Sequence, residues 1–463
     1  MEERPCEEPG GRVLNDPRGC ARAVPPDTAA IRKLLWAYVA LVFLEGPLRK
    51  WFLPGLSQPL LVARDPIVLA LLYLAWKRRL FVGTRFMEFV GWLAFASVAA
   101  SLLVRDGFLT TAYGFRSNFL HLPVILLMAR VFERRDLLLF ARCALAFALP
   151  HGLLMMAQFF SPPGAFLNSG ADDAFTQIGL GDGYIRPAGI FSYNTGASAY
   201  HAIVLALCLA PLGGRGSHYG LLRAFGYAGT GLATVFSGSR SAWMAFLAVS
   251  VVYLSASILW SSAQLARKAP ALMALLVFLP IALAFPSVST ALEVFVSHRL
   301  ANDSTQTELL PRLIGLFTRP FETMWDFPLL GYGLGVGTSA GAALSGIGSL
   351  FYYGDAETEF TRHFLESGPL LGGMFVALRI GGAFHLLKRC LKTAHRSDLT
   401  ALLLWASVAP SLVAGNLGQS TAAAFCVLVS GLALLACRHA EEPEPRAAPA
   451  LPGGRQILAE ARI

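Results

Sequence analysis

The chain has few charged residues for its length. Asp, Glu, Lys and Arg make up only 14% of its 463 residues, whereas 55% are hydrophobic. A soluble domain keeps roughly a quarter of its residues charged. This deficit excludes an ordinary soluble protein, because most of the chain's surface must face something less polar than water. The hydrophobic residues also recur in runs of about 20, the length that crosses about 30 Å of hydrocarbon as a helix.

Cysteine is scarce too, and its placement argues against a disulfide framework or a metal site. None of the seven cysteines falls in a predicted outer loop, so no disulfide is expected even if that side is oxidising. No cluster of His and Cys has the spacing of metal ligands. The run Gly331-Tyr-Gly-Leu-Gly-Val-Gly lacks both a preceding strand and a following Lys-Ser/Thr. It therefore predicts a tight turn and not a nucleotide-binding loop.

The hydrophobic runs predict an all-α membrane protein, a bundle of about 12 transmembrane helices with one large periplasmic loop. Charged residues interrupt the first two runs and make them the weakest. The predicted spans are 34–48, 60–76, 86–104, 117–132, 137–160, 189–211, 221–237, 241–260, 270–287, 364–387, 399–415 and 419–437.

Lysine and arginine predict the orientation, since they are enriched in cytoplasmic loops. With the N-terminus inside, most of the 38 positive side chains fall in cytoplasmic segments, and every such segment carries at least two. Both ends are then cytoplasmic. Residues 1–32 and 439–463 are rich in Pro, Gly and charge and predict disordered tails around a bundle at 33–438.

The longest connection, residues 288–363, is predicted to be periplasmic, and loops of this length are usually functional. Within it, Arg312–Trp325 has helical periodicity, with Leu313, Leu316 and Phe317 on one face. Such a helix either lies along the membrane interface or packs over the bundle.

Outside the predicted cytoplasmic segments every positive side chain except Lys50 is an arginine. Arginine suits bidentate recognition of phosphate. Arg186 precedes the sixth span, and Arg240 lies in the tight hairpin between the seventh and eighth. The alternative for each is an interfacial arginine that extends its side chain toward the headgroups.

Four motifs in order make the chain resemble the O-antigen ligase and polymerase family, bacterial inner-membrane glycosyltransferases that act on polyprenyl-diphosphate-linked glycans. The resemblance covers roughly residues 184–375, and the flanking spans add only a matching layout. The motifs are Arg186-Pro-Ala-Gly-Ile-Phe, Ser239-Arg240-Ser-Ala-Trp, Pro328-Leu-Leu-Gly-Tyr-Gly-Leu-Gly and Phe364-Leu-Glu-Ser-Gly-Pro-Leu-Leu-Gly.

Two positions depart from the family's pattern. Ser192-Tyr193-Asn194-Thr195 stands where Pro-Asn often follows the first motif's aromatic residue. Glu357-Thr358 stands where the family's ligases tend to carry a His-Asn pair, and His363 is out of register. The second departure weakens a ligase assignment and favours a polymerase of exopolysaccharide or O-antigen repeats.

The resemblance implies an enzyme in which a sugar hydroxyl displaces a lipid diphosphate from an anomeric carbon. Arg186, Arg240 and Glu357 are the candidate catalytic residues, with Glu359, Asp355 and Glu366 as alternative carboxylates. Arg116, Arg312, Arg319 and Glu366 are the candidate substrate-binding residues, although Glu366 is equally well explained as a structural partner.

The expected partners are the polyprenyl-diphosphate-linked glycan, membrane lipids, and a flippase and chain-length regulator. No metal, other cofactor or nucleic acid is expected. An O-antigen ligase acting on a lipid acceptor remains open, as does a transporter or flippase for the same anionic lipid, although no internal repeat supports a transporter.

Overall fold

The computed structural model is a bundle of α-helices. It describes residues 28–441 except 82–83, 105–106, 172–178, 182, 213–216, 261–289, 295, 297–308, 339–340, 342–357 and 396–397.

The first half of the bundle contains seven named helices and two π-helical segments, the latter at Leu48–Phe52 and Arg116–Leu120. The helices are α1 Ala29–Pro47, α2 Ser57–Leu61, α3 Asp65–Lys77, α4 Arg85–Val104, α5 Phe108–Phe115, α6 Leu122–Val131 and α7 Arg134–Phe160.

The second half begins with a small antiparallel pair of strands, β1 Gly179–Gly181 and β2 Tyr184–Ile185. The helices that follow are α8 Asn194–Leu209, α9 Ser217–Phe236, α10 Arg240–Trp260, α11 Leu309–Thr323, α12 Glu359–Ala394, α13 Thr400–Ala414 and α14 Ser420–Glu441. Most residues of α8 and α14 are buried, so these two helices form the centre of the bundle.

Within the described part of the chain, six helical stretches are long and apolar enough to cross a membrane. The multi-pass character predicted from the sequence is thereby confirmed. Helix is present in eleven of the twelve predicted spans, and the twelfth, 270–287, lies outside the described residues. The count of twelve and the periplasmic loop stay predictions. The six stretches are Pro54–Lys77, α4, α7, α10, α12 and α14.

Contacts between residues at the helix ends show which segments share each end of the bundle. At one end, which we call the motif end, Asn194 joins the segments 186–194 and 237–240, and Tyr332 and Gly333 join the segments 328–338 and 359–368. Leu417 and Gln419, before α14, contact Glu359 and Thr195 and so lie between the two pairs of segments. At the opposite end, Arg32 on α1 donates to Asp136 on α7 at 2.8 Å. Described residues of the segments predicted to be cytoplasmic lie there too, as the contacts of Arg130 with Thr84 and of Arg438 with Ala129 show.

Three arginines satisfy backbone carbonyls where helices end. The last carbonyls of a helix have no partner within it and carry partial negative charge. Arg438 donates to Ala129, Arg130 and Phe132 at the end of α6. Arg379 donates to Ser411, Leu412 and Gly415 at the end of α13, and Arg223 to Ala210 and Leu212 after α8. These bonds let helices stop inside the bundle without leaving carbonyls unsatisfied.

Helix α12 is two helical arms joined at a sharp bend. Gly368 has φ 72° and ψ 176°, and Pro369 follows it. The arms fold back on each other, so that Glu359 Oε1 lies 3.3 Å from Arg379 Nη1 although 20 positions separate them. The ring of His363 packs against Phe375 with 4.1 Å between centroids. We call residues 359–367 the short arm and 369–394 the long arm.

The amphipathic stretch predicted in the long loop forms α11 and packs over the bundle. Phe317 and Phe321 contact Phe360 and Phe364 of the short arm edge to face, with centroids 5.7–6.4 Å apart. The helix thus packs over the bundle and covers the motif end next to the bend, whereas its position at the membrane interface stays a prediction.

Candidate active site

The segments that carry Arg186 and Arg240 are joined by one asparagine. Asn194, the first residue of α8, donates from Nδ2 to the Pro187 carbonyl at 2.9 Å and to the Ser237 carbonyl at 3.0 Å. On the other side of this contact, a Cβ built on Gly238 would lie 3.4 Å from Cγ of Arg186. The two motifs are therefore neighbours, although 54 positions separate their arginines.

The surroundings of Arg240 favour an anion. Arg240 is the first residue of α10 and is half-buried, and the start of a helix carries partial positive charge and free N–H groups. Ser239 and Ser241 lie beside it, with their hydroxyl oxygens 2.7 Å apart. Arg186 is also half-buried. Two arginines, serine hydroxyls and a helix start together provide the donors that a phosphate or diphosphate requires.

A polar scaffold fixes the turn that follows Arg186. Gln158 at the end of α7 accepts from the N–H of Gly189 at 2.8 Å and donates to its carbonyl at 3.1 Å. Lys50 also donates to that carbonyl, at 2.9 Å. Burial lowers the pKa of Lys50 to about 7, because a buried ammonium loses its hydration. Gly189 has φ +60°, and a Cβ there would overlap the ring of His151, so glycine is required.

The third motif packs against the bend of α12. Gly331, Gly333 and Gly335 all have positive φ, as the predicted tight turn requires. The N–H groups of Tyr332 and Gly333 donate to the carbonyls of Leu365 and Glu366 at 2.8 and 3.1 Å. The bend leaves these carbonyls without helical partners, and the glycine turn satisfies them. The third and fourth motifs therefore form one unit.

The short arm carries a buried network of ion pairs. Arg362, 2% exposed, donates to Glu359 at 2.6 Å and to Glu366 at 2.9 Å. Asn118 accepts from Arg362 at 2.8 Å and donates to Glu366 at 3.1 Å. With Arg379 bound to Glu359, the network contains two cations and two carboxylates. It is balanced in charge, and both oxygens of Glu366 are engaged.

Arg116 lies in a second buried group of charges at the motif end. It donates to Asp65 and to the Leu61 carbonyl, both at 2.5 Å. Asp65 also contacts His121 at 3.2 Å. Arg116, in the second π-helical segment, is thus held by the end of α2 and the start of α3.

The remaining sequence-based candidates are less closely placed. Glu357 and Asp355 lie outside the described residues. Arg312 belongs to α11, but its side chain is not among those described. Arg319, on the same helix, is exposed. The structure therefore places Arg186 next to the Arg240 hairpin. Glu359, Glu366 and Arg116 belong to other buried groups of charges, and the remaining candidates are exposed or have side chains that the structure does not describe.

Sequence reasoning missed the residues that position the candidates. In the sequence, Asn194 stands out only as part of a departure from the family's pattern, and no role is predicted for Gln158 or Arg362. A signal was present for Arg362, because an ionisable residue three and four positions from two carboxylates matches helical ion-pair spacing. For Asn194 and Gln158 no local pattern exists, since their partners are distant in the sequence.

Among the described residues, no three His, Cys, Asp or Glu side chains gather to form a possible metal site. A scan against models of known protein families finds no match for this chain, and neither does a search of curated proteins.

Proposed function

We propose that this protein is a glycosyltransferase of the bacterial inner membrane that polymerises polyprenyl-diphosphate-linked oligosaccharide repeats into exopolysaccharide or O-antigen. The observation that carries the proposal is the double hydrogen bond from Asn194 to Pro187 and Ser237. It holds together the two arginine motifs on which the family resemblance depends. The third and fourth motifs lie at the same end of the bundle and pack on each other.

The chemistry matches the donors at this site. The acceptor hydroxyl oxygen forms a bond to the anomeric carbon, and the bond from that carbon to the diphosphate oxygen breaks. The hydroxyl proton passes to a base, for which Glu357 is the candidate. The polyprenyl diphosphate leaves with its negative charge, which permanently charged Arg186 and Arg240 stabilise without a general acid. The loss of one such donor typically costs about 2.7–4 kcal/mol of activation free energy.

The proposed orientation places the motif end in the periplasm and both chain ends in the cytoplasm. It is supported by the lysines and arginines at the opposite end of the bundle. Reporter fusions in the 288–363 loop and at each terminus test the orientation. A cytoplasmic signal from the loop would place the site on the wrong side of the membrane for a periplasmic lipid-linked substrate.

The activity test is polymer production in cells that lack their own copy, normalised to the amount of protein in the membrane. Arg240→Lys keeps the charge but loses the planar fork of donors, so polymer should fall at least about 100-fold. Arg135→Lys, the same exchange at an exposed position at the start of α7 and at the opposite end of the bundle, should retain most polymer. Glu357→Gln should slow transfer if this carboxylate is the base. Near-normal polymer from Arg240→Lys and Glu357→Gln would remove the proposed roles of these residues.

One feature favours transport of a lipid-linked glycan as a second candidate. Helices broken inside a bundle are frequent at the binding sites of transporters, and α12 bends at Gly368 while α13 ends beside Arg379. Purified protein in vesicles separates the two functions. A polymerase lengthens a lipid-linked repeat already on its own side, whereas a flippase moves the repeat across the bilayer without lengthening it. A ligase instead transfers the glycan to a lipid acceptor supplied in the same vesicles.

A further inference from the structure

A line of buried polar side chains connects the turn after Arg186 to helix α9. His151 of α7 accepts at Nε2 from the backbone N–H of Ile190 at 3.3 Å, and its Nδ1 lies 2.9 Å from Nε2 of His201 on α8. Nδ1 of His201 in turn lies 3.4 Å from the hydroxyl oxygen of Thr230 on α9. All three residues are at most 4% exposed. Three helices thus contribute one side chain each to a continuous series of hydrogen bonds, which we call the histidine chain.

The backbone donor at one end fixes the direction of every hydrogen bond in the histidine chain. Because the N–H of Ile190 can only donate, Nε2 of His151 is the unprotonated acceptor. In a neutral ring the proton is then on Nδ1, which donates to Nε2 of His201. By the same argument the proton of His201 is on Nδ1 and donates to Thr230. Both histidines are therefore in the neutral form that carries its proton on Nδ1.

The surroundings of the two rings match this neutral form. In the described part of the chain, the histidines that contact a carboxylate are His121 and His363, so His151 and His201 have no such counter-ion. A second proton on Nε2 of His151 would also face the N–H of Ile190. Imidazole suits both positions, because an uncharged ring accepts at one nitrogen and donates at the other.

The helices that carry the two ends of the histidine chain touch each other through their backbones. A Cβ on Gly152 of α7 would overlap the carbonyl of Gly229 on α9, and a Cβ on Gly229 would overlap the carbonyl of Ala148. These glycines lie next in sequence to His151 and Thr230. The ends of the histidine chain therefore belong to helices that cannot shift closer together.

Hydrogen bonds continue from Thr230 along the last turns of α9 into the hairpin between α9 and α10. Thr234 Oγ1 donates to the carbonyl of Thr230 at 2.8 Å, and Ser237 Oγ donates to the carbonyl of Thr234 at 2.9 Å. Ser237 Oγ also accepts from the N–H of Ser239 at 3.2 Å. The two arginine motifs are thus joined twice, once directly through Asn194 and once through the interior of the bundle.

We propose that His151 and His201 are positioning residues of the proposed transferase, whose hydrogen bonds set the separation of Arg186 and Arg240. A diphosphate has two phosphoryl groups at a fixed distance, so two arginines bind it best at one separation. The histidines act through the turn and the hairpin, and they touch neither the substrate nor the reacting atoms. Their effect on polymer rests on the proposed function, whereas the direction of the hydrogen bonds does not.

¹⁵N NMR of the full-length protein in lipid vesicles, labelled at histidine, tests that direction. Protonated and unprotonated ring nitrogens have separate chemical shifts, and a scalar coupling across the N–H···N hydrogen bond identifies two rings as a pair. We expect the paired rings to carry their protons on Nδ1. The absence of a coupled pair, a proton on Nε2 of either ring, or two protons on one ring would overturn the proposal.

Three variants test the positioning role. Thr230→Val keeps the shape of the side chain but removes the acceptor of His201, and Thr230→Ser restores it. Thr393→Val is the matched control, because Thr393 is equally buried but its hydroxyl donates within its own helix, to Cys390. Calorimetry measures the binding of inorganic pyrophosphate to each purified full-length protein. Thr230→Val should weaken this binding about fivefold, as expected for the loss of one hydrogen bond, whereas the other two variants should bind like the unaltered protein.

Pyrophosphate binding and polymer production together separate this inference from the proposed function. A merely structural role would lower the melting temperature of Thr230→Val and leave its affinity for pyrophosphate unchanged, which would overturn the positioning role. So would the absence of saturable pyrophosphate binding by the unaltered protein, or Thr230→Val matching Thr393→Val in both affinity and polymer. Weaker binding in Thr230→Val from a protein that makes no polymer would support the positioning role and contradict the proposed function.

Discussion

Asn194 Nδ2 donates to the carbonyl of Pro187 at 2.9 Å and to that of Ser237 at 3.0 Å. One side-chain amide thus holds the Arg186 turn against the Arg240 hairpin. Neither carbonyl belongs to a regular helix or strand, so the amide contributes bonds that the backbone does not supply. The close approach of the two arginine motifs therefore depends on Asn194.

Replacement of Asn194 by aspartate should therefore separate the two motifs. Aspartate has nearly the same shape, but its carboxylate would face two carbonyl oxygens without a hydrogen to donate. We expect polymer production to fall at least about tenfold, since each lost hydrogen bond contributes about 1 kcal/mol. Ser198→Ala is the control one turn along α8, because Ser198 Oγ has no partner among the described residues. Equal polymer from both variants would show that Asn194 does not position the motifs.

Gly368 should tolerate no side chain. Its φ of 72° is strained for other residues, and a Cβ there would overlap the carbonyl of Leu329. Gly368→Ala should reduce the amount of folded protein recovered from the membrane by several-fold. Gly373→Ala, on the long arm, should be tolerated, because its new Cβ would meet only ordinary contact at 3.8 Å. Size-exclusion profiles of the two variants provide the comparison, and a normal profile for Gly368→Ala would contradict the bend.

Arg362 should be essential for stability whatever the protein's activity. Arg362→Gln leaves Glu359 and Glu366 buried with less compensation, and the loss of one partner from a buried ion pair typically costs about 3–5 kcal/mol. Thermal unfolding in detergent measures the loss. Arg319→Gln should cost little, since Arg319 is exposed. A melting temperature for Arg362→Gln close to that of the unaltered protein would indicate that the network is not closed as described.

Cys390 on α12 and Cys437 on α14 test how these helices pack. Their sulfur atoms lie 3.7 Å apart, close enough to join after a small movement. Copper phenanthroline should link them in isolated membranes. A protease site in the α12–α13 connection would reveal the link as two fragments that separate only after reduction. Cys437→Ser should abolish the link, and its absence from the unaltered protein would mean that the two thiols are farther apart.

The helices were predictable from the sequence, but the positioning contacts were not. The runs that contain α4, α7, α10 and α14 are apolar for about 20 residues, and that property alone specifies a spanning helix. The bend of α12 had a local signal in Gly368-Pro369, yet nothing nearby indicates that its arms fold back on each other. That arrangement depends on the pairing of Glu359 with Arg379, 20 positions away.

The arginines show the same limit at the site. A sequence distinguishes arginine from lysine but does not show what the guanidinium meets. Arg186 and Arg240 lie in segments that Asn194 joins, and no spacing in the sequence indicates this contact. Arg116 is held by Asp65 instead, through a contact between helices that no spacing rule encodes. Glu357 stays a prediction.

The arginines at the ends of α6, α8 and α13 have a consequence for the mobility of the bundle. A guanidinium that donates to two or three carbonyls occupies the positions that water molecules would take at an exposed helix end. Arg223, Arg379 and Arg438 thus donate the hydrogen bonds that water would otherwise supply, and they do not exchange with the solvent. The donors at each of these helix ends belong to a neighbouring helix. The ends of α6, α8 and α13 should therefore move together with α14, α9 and α12, the helices that carry the three arginines.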